Sequence, residues 1–344
     1  MTLRTTIEGA GLRAITSLPA PIQRMLSGGS TVLDGQTLAA DLRLMLKVQG
    51  LMRPEIDDAP IEDVRASMRR DSAMAGGRQP IGAVRELTVA GRPARHYLPS
   101  TPMVPAGEPG PLLVFIHGGG YIEGDIDTHD ATCRLLAELS GVPVVSVTYR
   151  LGPEHKLPAA HDDAYAAFRD VHERAAELGA DPRRIAVGGD SAGGNLAGWV
   201  SIAAARDGLP VAFQLLIYPV TDGLHPGPSH RMFSEGFYLT KAFMDRADDS
   251  YTSDREELLD ERISLVRAEL PQGLAPAYVA TAGFDPLRDE GEAYSRLLAE
   301  AGHDVEPRRF EDQIHGFVNM LVVPSCRAAT VEVAARLRAA MSAG

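Results

Sequence analysis

One serine of this chain stands where covalent acyl transfer would need it. Gly189-Asp190-Ser191-Ala192-Gly193 forms a G-x-S-x-G string. Its glycines fall at the two positions where a sharp strand-to-helix turn leaves no room for a side chain, and such a turn pushes the serine Oγ into open space. A hydroxyl attacks a carbonyl only when a base takes its proton, and an imidazole base needs a carboxylate to fix its tautomer. Asp285 and His315 follow the serine in that order. The reaction also needs N–H donors for the charge that develops on the carbonyl oxygen. Ala192, just after the serine, offers one, and the run His117-Gly118-Gly119-Gly120 offers others, because glycines let backbone N–H groups approach a ligand closely. With Gly at 34 of 344 positions, G-x-S-x-G should arise by chance roughly 0.2 times in such a chain, and His-Gly-Gly-Gly only about 0.01 times. It is the combination, in order, that carries the signal.

These residues need a scaffold that gathers them at one edge. Apolar strands are expected at Leu112–Ile116, Val142–Tyr149, Arg184–Val187, Val211–Tyr218, Ala277–Ala282 and Val305–Phe310, separated by helical patterns. That alternation predicts a mostly parallel central sheet flanked by helices. His117, Ser191, Asp285 and His315 would then follow strand C-terminal ends, where open α/β sheets collect their sites. Upstream, Val84–Val89 and Arg95–Leu98 read as a hairpin around Gly91-Arg92-Pro93, and a Pro/Gly-rich connection spans Thr101–Pro111. Residues 1–78 look helical, with Leu38, Leu42, Met45 and Gln49 on one amphipathic segment and Ile61, Val64 and Met68 on another. An insertion at about 220–270 breaks the later alternation.

In five places the chain resembles the hormone-sensitive lipase family of α/β-hydrolases, also called bacterial family IV esterases. These are His117–Tyr121, Tyr149–His155, Gly189–Asn195, Asp285–Asp289 and His315-Gly316-Phe317. The resemblance covers about residues 80–320. It implies an α/β-hydrolase fold over 79–344, with a helical cap made of residues 1–78 and the 220–270 insertion. Ser191 would be the nucleophile, His315 the general base and acid, and Asp285 the orienting acid. Gly118, Gly119 and Ala192 would form the oxyanion hole, with His117, Gly120, Gly189, Asp190 and Gly193 as motif positions. A small acyl ester of short to medium chain is the implied substrate, with no cofactor and no metal. Homodimerisation has only the resemblance behind it. Gly152 stands where the family usually has alanine. Amides, lactones and carbamates share the tetrahedral intermediate and remain open, as does a non-catalytic binding protein, although such a protein is expected to lose a triad residue and none is missing.

The remaining features set limits. A net charge of −12 disfavours nucleic acid and anionic lipid as partners. Leu112–Ile116 is strand-sized, no apolar run is long enough for a membrane anchor, and Glu8, Arg13, Pro19 and Pro21 interrupt any secretory pattern, so a cytoplasmic protein is expected. Cys133 and Cys326 are expected as buried reduced thiols. Asp289 is the rival to Asp285 but reads better as a first-turn helix residue. His117 is expected to fix its loop rather than act as a base. Asp190 and Glu123 are expected to be solvated or to make structural hydrogen bonds, and the Tyr149–His155 run to be structural. His225, His230, Phe233, Phe237 and Tyr238 are candidates either for an acyl pocket or for packing within the cap. Asp248, Asp249, Asp254, Glu256 and Glu257 read as a solvated acidic face.

Overall fold

The computed structural model describes residues 3–52, 59–105, 107–225 and 227–342. Ala106 of the Thr101–Pro111 connection and Pro226 of the insertion lie outside the described residues. The N-terminal segment carries α1 (Leu3–Thr16), α2 (Ala20–Ser27), α3 (Ala40–Met52) and α4 (Ile61–Gly76), with a hairpin of β1 (Val32–Leu33) and β2 (Gln36–Thr37) between α2 and α3. The hairpin turns through Asp34 and Gly35, both at positive φ, and its strands are too short to leave a periodic trace in the sequence.

After it come β3 (Ala83–Val89), β4 (Arg92–Leu98), β5 (Gly110–Ile116), α5 (Asp130–Ser140), β6 (Val144–Val147) and α6 (Ala159–Glu173). Then follow β7 (Ala180–Asp190), α7 (Ala192–Arg206), β8 (Gln214–Ile217), α8 (Pro228–Phe233) and α9 (Lys241–Tyr251). The chain closes with β9 (Ala277–Phe284), α10 (Arg288–Glu300), β10 (Val305–Ile314) and α11 (Pro324–Ser342). One sheet of eight strands has the order β10-β9-β8-β7-β5-β6-β4-β3. β4 pairs antiparallel with both β3 and β6, and every other neighbouring pair is parallel.

Strand alternation divides the core in two. On β5, Leu113 and Phe115 face a core shared with α5 and α11, while Leu112, Val114 and Ile116 face one shared with α6, α7 and α10. All five are fully buried, as expected of a parallel strand covered on both faces. Leu38, Leu42 and Met45 join the first of these cores, so the N-terminal segment and the sheet share apolar packing. Polar ties reinforce the contact: the Asp41 carboxylate accepts from Ser325 N–H and Oγ, and Gln36 Nε2 donates to Gly283 O. No described helix is long and apolar enough to cross a membrane.

Several strands run further than the sequence pattern shows, among them β7, which spans Ala180–Asp190 rather than Arg184–Val187, whereas β6 and β8 are shorter than expected. β9 continues to Phe284 and β10 to Ile314, so Asp285 and His315 follow their strands directly. β10 shifts register between Phe310 and Ile314, which interrupts the alternation by which a strand is read.

Candidate active site

Ser191 links β7 to α7 with φ 56° and ψ −123°, a sparsely populated conformation for a residue with a side chain. Its N–H is held by Ile217 O at 2.9 Å. The flanking glycines are forced by close packing. A Cβ on Gly189 would lie 2.4 Å from Ile116 O, and one on Gly193 would lie 2.1 Å from the same oxygen. The turn is therefore pressed against the end of β5, where the glycine run begins.

His315 Nε2 lies 2.9 Å from Ser191 Oγ, and its Nδ1 lies 2.8 Å from Asp285 Oδ2. A carboxylate only accepts, so Nδ1 carries the proton and Nε2 is left to accept from the serine hydroxyl. Asp285 is fully buried, and its other oxygen accepts from Leu287 N–H at 2.9 Å. The Tyr218 ring lies 4.5 Å from the imidazole and braces it. Asp289 lies in the first turn of α10, where its carboxylate accepts from Ser229 N–H and Arg288.

The expected oxyanion donors need one correction. Gly118 N–H donates to Asp190 Oδ1 at 3.0 Å, so it is not available to a ligand. Gly119 and Gly120, at φ 118° and 57°, have no described acceptor for their N–H groups, and both line the cleft that contains Ser191 and His315. Ala192 is the first residue of α7 and carries one of the N–H groups that a helix start leaves unpaired. Gly119, Gly120 and Ala192 are thus the residues beside Ser191 whose N–H groups have no described acceptor.

Asp190 is buried rather than solvated. Besides Gly118 it takes Asn319 Nδ2 at 3.2 Å and the Tyr218 hydroxyl at 3.4 Å, and His129 Nε2 lies 3.1 Å away. Burial alone would raise its pKa, but His129 and the Gly118 N–H outweigh that and hold it below the usual carboxylate range. His117 stacks on Tyr149 at 4.3 Å, its Nδ1 lies 2.9 Å from Gly118 O, and the Tyr149 hydroxyl donates to His117 O. Burial, with His129 adding to it, lowers the His117 pKa to about 4. In the 149–155 run, Arg150 pairs with Asp163, and Glu154 and Gly152 O are held by Arg65 of α4, which also donates to Ile122 O.

Two spaces open on Ser191. A small pocket of about 30 Å³ has mostly apolar walls, among them Tyr121, Val220, Leu239, Phe243, Ile263 and Leu287. A cleft of about 370 Å³ contains His315 and runs beneath α4 past Met68, Ser72 and Tyr238. The insertion candidates divide between roles: His225 lines the small pocket and Tyr238 the cleft, whereas Phe233 and Phe237 pack on Phe284. His230 stacks on His225. Asp248 departs from the expected solvated face: it lines the small pocket, and burial raises its pKa to about 6. Asp254 instead caps a turn through the N–H groups of Glu256 and Glu257. Glu290, which the sequence did not single out, is buried and accepts from Thr221 N–H and Asp222 N–H. Both thiols are buried and unpaired, and burial pushes them up. Among the described residues no group of three His, Cys, Asp or Glu is arranged to hold a metal ion.

Comparison with known proteins identifies relatives of this chain. The sequence pattern of a family described as "alpha/beta hydrolase fold" matches residues 113–319. The chain is 43% identical to the carboxylic ester hydrolase LipN of Mycobacterium tuberculosis, the match covering 98% of this chain and 92% of that protein. It is 35% identical to the ethyl acetate hydrolase of Pseudomonas putida over 75% of this chain and 83% of that one. Among solved structures, a hyperthermophilic esterase from the archaeon Pyrobaculum calidifontis superposes with a TM-score of 0.83 at 39% identity, covering 88% of this chain and 98% of the other.

Proposed function

This chain belongs to the α/β-hydrolase fold family, in its hormone-sensitive lipase-like branch, and is a carboxylic ester hydrolase; we propose that it cleaves short-chain acyl esters through an acyl-enzyme on Ser191. The observation that carries the mechanism is the unbroken relay from Asp285 through His315 to Ser191, at 2.8 and 2.9 Å. His315 Nε2 takes the Ser191 proton as Oγ attacks the ester carbonyl. The carbonyl oxygen becomes an oxyanion held by the N–H groups of Gly119, Gly120 and Ala192. Asp285 stabilises the imidazolium that forms, and His315 returns the proton to the departing alcohol. Water then attacks the acyl-enzyme by the same route.

Which space takes which half of the substrate follows from the proton. The leaving oxygen must lie near His315 Nε2, and His315 lines the cleft but not the small pocket. The alcohol therefore occupies the cleft and the acyl group the pocket. A volume of about 30 Å³ holds only a few heavy atoms beyond the carbonyl. We assign the covering of both spaces to residues 1–78 together with the 220–270 insertion, which supply Val64, Met68, Leu239 and Phe243 to their walls.

A series of 4-nitrophenyl esters tests this reading, with Ser191→Ala as the background control. The expected kcat/KM peaks between acetyl and butanoyl and falls at least about tenfold by decanoyl, because overpacking a closed pocket costs about 1–3 kcal/mol. A maximum at long chains contradicts the assignment of the small pocket to the acyl group.

A further inference from the structure

The wall of the small pocket carries a polar pair that ester hydrolysis does not use. His225 comes from the loop before α8 and Asp248 from α9, and both border the pocket that contains Ser191. The His225 side chain is only 8% exposed, and its Nδ1 lies 2.6 Å from Glu290 Oε2. Among the described residues its Nε2 has no hydrogen-bond partner: Asp248 Oδ2 is 3.8 Å away, beyond bonding reach. The Asp248 side chain, 26% exposed, has no other side-chain partner among the described residues. A donor and an acceptor thus stand side by side, unjoined, in a pocket whose mostly apolar walls also include Thr252 and the Tyr121 hydroxyl.

Resting on the ester-hydrolase reading and on the pocket as acyl site, we propose that His225 and Asp248 select short acyl groups that carry a hydroxyl. A hydroxyl oxygen between the two accepts from His225 Nε2–H and donates to Asp248 Oδ2, closing the 3.8 Å gap. The surrounding charges favour this neutral group over an ion. Burial opposes a charged imidazole, but the Glu290 carboxylate outweighs it and holds His225 up at about 9, so Nε2 is a donor at neutral pH. Burial raises Asp248 to about 6, which leaves it an acceptor above that pH. Asp222 and the stacked His230, at 5.5 Å between ring centres, are further titratable groups beside His225, and Tyr121 and Tyr251 line the same pocket. A substrate carboxylate would meet Asp248 and Glu290, and an ammonium would meet the His225 cation. A hydroxyl satisfies both neighbours and adds no charge.

The test compares 4-nitrophenyl 3-hydroxybutanoate with 4-nitrophenyl 3-methylbutanoate, which differ only in a hydroxyl for a methyl. Each kcat/KM is divided by the ester's hydroxide-catalysed rate, which removes intrinsic reactivity. In the wild-type enzyme the expected ratio favours the hydroxy ester by roughly tenfold, the effect of a paired rather than orphaned polar site. Asp248→Leu should bring the ratio to about one, and Asp248→Asn, which keeps an acceptor, should retain part of it. A wild-type ratio near one, or a ratio unchanged in Asp248→Leu, overturns the proposal while leaving ester hydrolysis intact. No turnover of either ester overturns the hydrolase reading and the proposal with it. The wild-type ratio decides the matter even if a variant does not fold.

Discussion

At the scale of single residues, Asp190 joins parts of the site that the sequence keeps far apart. Its carboxylate holds Gly118 at the end of β5, Asn319 after β10 and Tyr218 after β8, and His129 lies beside it. Because Gly118 N–H is tied down there, Gly119 and Gly120 are the glycines left to turn their N–H groups toward the ester oxygen. Asp190→Asn removes the negative charge that strengthens these bonds. The expected outcome is a kcat roughly ten- to a hundredfold lower, less than the loss of an oxyanion donor itself, with KM little changed. Steady-state kinetics on 4-nitrophenyl butanoate checks it. A rise in KM at constant kcat would mean that Asp190 acts on substrate binding instead.

At the scale of elements, the site was legible wherever one strand end delivers one residue. G-x-S-x-G, the glycine run, and the positions of Asp285 and His315 after late strands all follow from local pattern, and the geometry brings these residues together. What stayed hidden depends on contacts between distant segments. Which glycine loses its N–H to Asp190 depends on β5 lying beside β7, and periodicity does not report such pairings. Asp248 looked solvated because it sits in an acidic stretch, and only the packing of α9 over the pocket buries part of it. The insertion is tied down by Asn195 of α7, whose amide donates to Val220 O and Ile263 O while its oxygen meets His161 Nε2 at 3.0 Å. From the other side, Arg65 of α4 grips Ile122 O and Gly152 O, linking the N-terminal helices to the loop that carries the glycine run.

At the scale of the whole molecule, burial of histidines sets the pH range of stability. Burial lowers His96, His117 and His161 to about 4 each, with Arg85, His129 and Arg262 respectively also disfavouring the charged form. Their unfolded value is near 6.5, so between about pH 6.5 and 4 the unfolded chain binds more protons, and stability falls as pH drops. Each group contributes roughly 1.4 kcal/mol per pH unit in that window, and Asp190, whose pKa is depressed, adds a loss in the same direction at lower pH. His225 works the opposite way: its contribution is complete below about 6.5 and is lost as pH rises through about 9. Melting temperatures at constant ionic strength should therefore peak near neutrality and fall more steeply on the acid side, whereas a flat profile from pH 7 to 5 would contradict the neutral buried histidines. The central claim, that one serine forms the acyl-enzyme, is tested most directly by labelling the wild-type protein with a short-chain alkyl fluorophosphonate and mapping the adduct by peptide mass spectrometry. The expected result is one adduct per chain, on Ser191, with activity lost in step with labelling. Complete inactivation with Ser191 unmodified, or complete labelling of Ser191 with activity retained, would contradict it.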